Sequence, residues 1–374
     1  MLRFMTAGES HGKCLVAILE GLPAGVPVDP SAIDAEMKRR QWGYGRGPRM
    51  KFETDRVEIV SGVRRGKTLG SPLAMEIANQ DCSIDRLPVV TQPRPGHADL
   101  TGAMKYDHRD IRNVLERASA RETAARVAVG AICKQVLGQL DIELASHVVA
   151  LGSVRARPIS ATVKQLRAKA DPTPLRCLDP QATKQMMRLI DAAVKAGDTL
   201  GGVFEVVAEG APPGLGSYVH YDRRLDAILG HAILSIHAVK AVEVGDGVLA
   251  ASLAGSKVQD EIFYAKGKGF YRSQNRAGGF EGGMTTGQPI IVRGFLKPLS
   301  TLRKPLRSVE INTKKPVVAT VERSDVTTVP AAGVIGEAMI AFELANAVLE
   351  KFGSDSLREL KRNYHSYLQQ LRTF

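Results

Sequence analysis

The sequence predicts an α/β (α+β) fold organised as one domain over residues 1–374, and three observations lead there. Short β-rich runs and helical segments interleave along the whole chain. No linker and no repeat period divides it, which argues against two independent domains and leaves room for a pseudo-duplicated core. No dinucleotide fingerprint is present: Lys266-Gly267-Lys268-Gly269 lacks the third glycine and does not open a helix, so the fold is not a Rossmann unit.

The elements follow in order. Leu2–Ala7, Leu15–Leu19, Arg56–Val63 and Ser71–Ala78 read as strands bounded by Gly and Pro. Asp29-Pro30 opens a helix to about Arg40, because Asp caps the free N–H groups and Pro loses nothing in the first turn. Glu116–Leu140 reads as one long helix with Val127, Ile132 and Val136 apolar on its later turns. Asp179-Pro180 repeats the start signal for a helix to about Ala196, followed by a strand at Val203–Ala208 and a helix from Asp222 to about Ile236. After Val242 the chain reads as glycine-rich and irregular until a strand at Pro289–Phe295. Two helices close it, Pro330–Phe352 apolar and Ser356–Leu371 amphipathic.

Composition narrows the function. Hydrophobic residues make up 44% and charged residues 24%, as in a globular protein with a sizeable core. Lys and Arg number 51 against 39 acidic residues, a net charge of +12 that favours anionic partners of any kind. The four cysteines show no CxxC pair or zinc spacing, which implies reduced thiols and no metal site. The N-terminus lacks a signal-peptide core, and no uncharged apolar run reaches the roughly 18 residues that span a bilayer. The expectation is a cytoplasmic protein bound neither to membrane nor to nucleic acid, since aromatics total 5% and no basic-aromatic stacking array appears.

Four constellations could carry chemistry. Gly8-Glu9-Ser10-His11-Gly12 ends an apolar strand; it suits close approach to a ligand as well as a plain surface turn. Lys38, Arg39, Arg40, Arg46, Arg49 and Lys51 place six cations within 14 positions, either a solvated loop or a clamp for phosphate and carboxylate. Arg94-Pro95-Gly96-His97-Ala98-Asp99 leads into Glu116–Arg126. On a helix Arg117 and Arg121 share a face and Glu122 pairs with Arg126, while small residues beside the cations favour an anionic ligand. Gln274–Gly287 carries five glycines in ten residues and runs into a strand, then Lys297-Pro298-Leu299-Ser300-Thr301, a set suited to a flat polar ring or a phosphate. Arg323 and Asp325 add a cation and a base.

Together GESHG, RPGHAD, RASARET, GDTLGG (Gly197–Gly202), VEVGDG (Val242–Gly247) and AGGFEGGMTTG resemble the chorismate synthase family, in that family's order, from about residue 3 to residue 335. The resemblance implies a β-α-β sandwich, a homotetramer, and 1,4-elimination of phosphate from 5-enolpyruvylshikimate 3-phosphate with reduced FMN (FMNH2) and no net redox change. NADPH enters at most as an external reductant, since no extra insertion points to self-reduction. By motif match, His11, His97 and Asp325 become catalytic: His11 toward the leaving phosphate, His97 toward the flavin N1–O2 side, Asp325 toward the flavin N5 proton. Arg40, Arg46, Arg49 and Arg126 become substrate-binding. Arg117, Ala118, Ser119, His237, Ala238, Gly282, Lys297, Pro298, Leu299, Ser300, Thr301 and Arg323 become cofactor-binding. The chain departs from the family at His237, where Asn or Pro is more usual, and at Ala241 in place of Gly. A basic nucleic-acid-binding protein is the rival from another class, and a flavin oxidoreductase with net hydride transfer the rival enzyme.

Overall fold

A computed structural model describes residues 1–47, 54–322 and 324–374. Two antiparallel sheets enclose a layer of helices. The first has the order Arg3–Ala7, Cys14–Glu20, Leu73–Ala78, Glu58–Ser61. The second has the order Val239–Val244, Ile290–Leu296, Gly202–Glu209, Glu143–Leu151, Val154–Arg155. Period-2 patterning sets the first sheet: Leu15, Ala17 and Leu19 face in and are buried, as are Leu73, Met75 and Ile77 of the paired strand.

The Thr123–Gly138 helix packs on the first sheet and the Val329–Phe352 helix on the second, with Pro30–Gln41 beside both. At their crossing, a Cβ on Gly130 would lie 2.3 Å from the Ala338 Cβ, so only glycine lets the two backbones approach this closely. The Val329–Phe352 helix is long and apolar enough to cross a membrane by composition, yet it is buried nearly all round as the centre of the core. The sandwich and the absence of a Rossmann unit match expectation, as do both Asp-Pro helix starts: Asp29 accepts Ser31 N, and Asp179 accepts Gln181 N and Ala182 N.

Three stretches differ. The expected helix from Glu116 to Leu140 is broken: Arg112–Leu115 ends, Ser119 turns extended (ψ 141°) and caps a short 3-10 turn at Ala120–Glu122, and the long helix starts at Thr123. The Ser119 hydroxyl accepts Arg121 N, and a side chain so engaged favours a helix start over a helix interior. Glu143–Leu151, a strand inside the second sheet, is not among the expected elements; it follows the helix within five residues, after a turn at Asp141 with φ +58°. The glycine-rich stretch after Val242 is ordered into the edge strand Val239–Val244 and the hairpin Ile262–Ala265/Gly269–Arg272, whose turn is the KGKG sequence. Arg49 and Arg323 lie outside the described residues.

Candidate active site

The GESHG turn is held from far along the chain. Gly8 has φ +102°, and a Cβ there would lie 2.2 Å from Cys14 O, so the reversal requires glycine. Beyond it His11 Nδ1 lies 2.8 Å from Glu116 Oε2, which also accepts His11 N at 3.0 Å. Glu116 is buried; burial raises its pKa, but the His11 hydrogen bond and charge and the Arg112 contact at 3.1 Å outweigh that and hold it below the usual value. Asn79 Nδ2 clamps the turn through Glu9 O and Gly12 O.

The RPGHAD turn repeats the device locally. His97 Nδ1 lies 2.6 Å from Asp99 Oδ1, and Arg94 donates to Asp99 through N, Nε and Nη2. Asp99 is fully buried; burial opposes ionisation, yet the His97 and Arg94 hydrogen bonds hold its carboxyl well below the usual range. Arg94 Nη1 reaches Thr301 Oγ1 at 2.8 Å, and Lys297 Nζ donates to Gly96 O at 3.0 Å, which brings the KPLST segment to this histidine. Burial and nearby Lys240 hold Lys297 below its ordinary value. Behind it Thr199 Oγ1 donates to Leu299 O at 2.7 Å, and a Cβ on Gly201 would lie 2.9 Å from Pro298 N. The GDTLGG motif therefore serves as the backing of KPLST.

Further cations surround the GESHG turn. Arg121 binds Asn79 Oδ1 and, with Arg40, shares the buried Asp55. Arg40 also donates to Thr123 Oγ1 (3.1 Å) and Ala120 O (3.2 Å). Full burial, opposed by Asp55, pushes Arg40 down to about 10, still a cation at neutrality. Arg46 pairs with Asp325 at 2.8 Å, and Asp325 also accepts Gly47 N at 2.5 Å. Arg117 is not on a helix face with Arg121: it donates back to Gly8 O and to Thr6 O and Oγ1, holding the GESHG strand end. The expected Glu122–Arg126 pair forms (2.9 Å), and Arg126 also reaches Ser235 Oγ at 2.8 Å, two residues before His237.

His11, His97, Arg40, Arg46, Asp325, Arg117, Ala118, Ser119, Arg126, His237, Ala238 and the 297–301 segment thus belong to one connected region. Gly282 does not join it through any hydrogen bond or ion pair among the described residues; its hairpin packs on Tyr218. Gly245 and Gly278 approach each other as backbone, so the VEVGDG and AGGFEGG glycines serve a close crossing of chains. Sequence reasoning missed Glu116, Asp99, Asp55, Asn79 and Arg94 as partners. Asp99 was readable at i+2 from His97, whereas Glu116 and Asp55 carried no local signal. The donor set suits a phosphorylated polar ring such as FMN: a lysine, the hydroxyls of Ser119, Ser300 and Thr301, arginines, and a buried His237 Nδ1 with no hydrogen-bond partner among the described residues.

Imidazoles backed by buried carboxylates amid an excess of arginine, on a non-Rossmann α+β sandwich, define an enzyme that does proton chemistry on an anionic ligand. The chorismate synthase family model matches residues 2–349. A protein named chorismate synthase from Symbiobacterium thermophilum is 55% identical over 99% of each chain. One of the same name from Solibacter usitatus is 55% identical over the whole of both. A crystal structure of chorismate synthase superposes with TM-score 0.83 at 43% identity, covering 100% of this chain and 99% of that one. The chain belongs to the chorismate synthase family, carbon–oxygen lyases of the shikimate pathway that act on a phosphate ester.

Proposed function

We propose that the whole chain, as one domain, converts 5-enolpyruvylshikimate 3-phosphate to chorismate by 1,4-elimination of phosphate and the C6 hydrogen, with reduced FMN used catalytically. The observation that carries this reading is the pair of histidine turns, each ring fixed through Nδ1 by a buried carboxylate that also meets an arginine, Arg112 at Glu116 and Arg94 at Asp99. With Nδ1 so engaged, Nε2 is the ring atom that moves a proton; at His11 it lies 3.9 Å from Asp81 Oδ2.

His11 is the acid toward the departing phosphate, with Glu116 fixing its ring and supporting its charge. Arg40, Arg46 and Arg49, with Arg126 farther along, hold the substrate's phosphate and carboxylates. Their guanidinium forks match such groups, and the burial of Arg40 strengthens its attraction. Bound reduced FMN supplies electron density that helps the phosphate leave and needs no net oxidation. Arg117, Ala118, Ser119, His237, Ala238, Lys297, Pro298, Leu299, Ser300, Thr301 and Arg323 would hold the flavin. His97, oriented by Asp99, would hold a proton toward its N1–O2 edge, and Asp325 would serve as the acidic residue on its N5 side. NADPH acts at most as an external reductant.

The working state in this reading is a homotetramer in the cytosol. Exposed Ile262, Tyr264 and Phe270 on one hairpin and Met5 and Val60 on the first sheet support assembly. The test is anaerobic turnover of the substrate with catalytic FMN and dithionite, following chorismate absorbance and phosphate together. Equal amounts of both, with no continuing use of reductant, are expected. Absence of product from folded, FMN-binding protein would refute the activity.

A further inference from the structure

The chain that leaves the Leu73–Ala78 strand is laced along the GESHG turn before it enters the short 3-10 turn Ile84–Arg86. Asn79 N donates to Lys13 O at 3.0 Å, and Asn79 Nδ2 donates to Glu9 O and Gly12 O. Asn79 Oδ1 in turn accepts Arg121 Nε at 2.9 Å. Farther on, Ile84 N donates to His11 O at 3.0 Å. Both ends of the segment 80–83 are thereby fixed against the turn that carries His11.

What this segment delivers is the carboxylate of Asp81. Its Oδ1 accepts Ser83 N at 3.2 Å and Ser83 Oγ at 2.5 Å, an Asx turn that sets the plane of the group. Its Oδ2 then lies 3.9 Å from His11 Nε2. That is an ion-pair distance, and a shift of about 1 Å would make it a direct hydrogen bond. His11 therefore stands between two carboxylates of different kind. Glu116, whose side chain is wholly buried, holds Nδ1, whereas Asp81, whose side chain is 41% exposed, faces Nε2.

An anion that accepts a hydrogen bond from Nε2 puts an oxygen about 2.8 Å from it, and hence within about 7 Å of Asp81 Oδ2. Two negative charges so close repel appreciably even near a protein surface. We propose that Asp81 is a specificity-determining residue of the phosphate site, whose carboxylate competes with phosphate for His11 Nε2. Free phosphate is then held weakly, while the whole substrate is retained because its carboxylates have anchors of their own. This rests on the reading of His11 as the acid toward the phosphate. Once the elimination has cut phosphate from the arginine-held remainder, Asp81 favours its departure and takes its place at Nε2.

Binding of inorganic phosphate to the full-length protein without FMN is measured by isothermal titration calorimetry. The proteins are wild type, D81N, D81E, H11N and the double variant, each verified to fold by far-UV circular dichroism. D81N keeps an oxygen for the Ser83 contact but loses the charge, and it binds phosphate about threefold more tightly or better. The gain shrinks at high salt, as a charge effect does, and D81E stays near wild type. The gain disappears when His11 is replaced as well. In turnover, D81N lowers both the KM of the substrate and the inhibition constant of phosphate, which a merely structural loss would raise. Phosphate affinity unchanged or weaker in D81N overturns the proposal, as does a gain that is indifferent to salt or survives the loss of His11. Should D81N not fold, D81S takes its place. Wild type that makes no chorismate would sink the proposed activity, while the calorimetry still decides on Asp81 by itself.

Discussion

Arg39 and Arg40 are adjacent on the Pro30–Gln41 helix and serve opposite regions. Arg39 enters the core, donating to Glu36, Asp171 and Glu337. Lys134 and Arg176 meet the same carboxylates, so three cations face three acids across three helices and the Glu143–Leu151 strand. Arg40 turns toward the histidine turns, where with Arg121 it shares Asp55, while Arg46 has Asp325. Among the described residues those cations meet Asp55 and Asp325. The first cluster ties helices together and specifies packing, whereas the second lies beside an imidazole held by a buried carboxylate, the setting of a functional site.

Breaking the core cluster has the largest expected effect. Glu337 is fully buried; burial opposes its charge, but Arg39, Lys134 and Arg176 hold its carboxyl well below the usual range. Glu337→Gln strands these cations and costs about 3–5 kcal/mol of stability. The depressed value means that the stabilisation is present above pH ~4.5 and lost as pH falls toward the folded value. Urea denaturation at pH 7 and at pH 4 measures both; an unchanged midpoint at pH 7 would contradict the role.

Next is Arg46→Ala in the site cluster, which weakens substrate binding about 10–100-fold and FMN binding by no more than about threefold. Fluorescence titration of each ligand decides, and equal losses would mean a shared site or a disturbed fold.

The smallest effect sharpens the contrast within one helix. Glu343 stands on the same helix as Glu337 but without an ion pair among the described residues, and burial raises it to about 7. A raised carboxyl stabilises below pH ~4.5 and loses that contribution as pH rises to about 7. Glu343→Gln should therefore exceed the parent in stability by about 1–2 kcal/mol above pH 7, with little difference at pH 4. Thermal melts at the two pH values test it, and equal gains at both would assign the effect to packing.

Legibility followed sequence distance. Both Asp-Pro helix starts were plain because cap and capped N–H groups lie within three residues. The Glu122–Arg126 pair was plain because it spans one helical turn. The helix expected through Arg117–Ser119 is broken because Ser119 caps a new start there, and the Glu143–Leu151 strand carries no alternation because it is buried along most of its length. Among the site residues, Asp99 lay two positions from its histidine, whereas Glu116 lies 105 from His11.

By itself the sequence determined the family, the sandwich, the cation excess and the identity of the two histidine turns, all of which depend on local motifs and composition. Tertiary structure alone decided which carboxylate fixes each ring, that GDTLGG backs KPLST, and that neighbouring arginines part company, one for packing and one for the site. Those outcomes depend on pairings between segments far apart in the chain, and burial makes such pairings strong only once the fold has brought them together and excluded water.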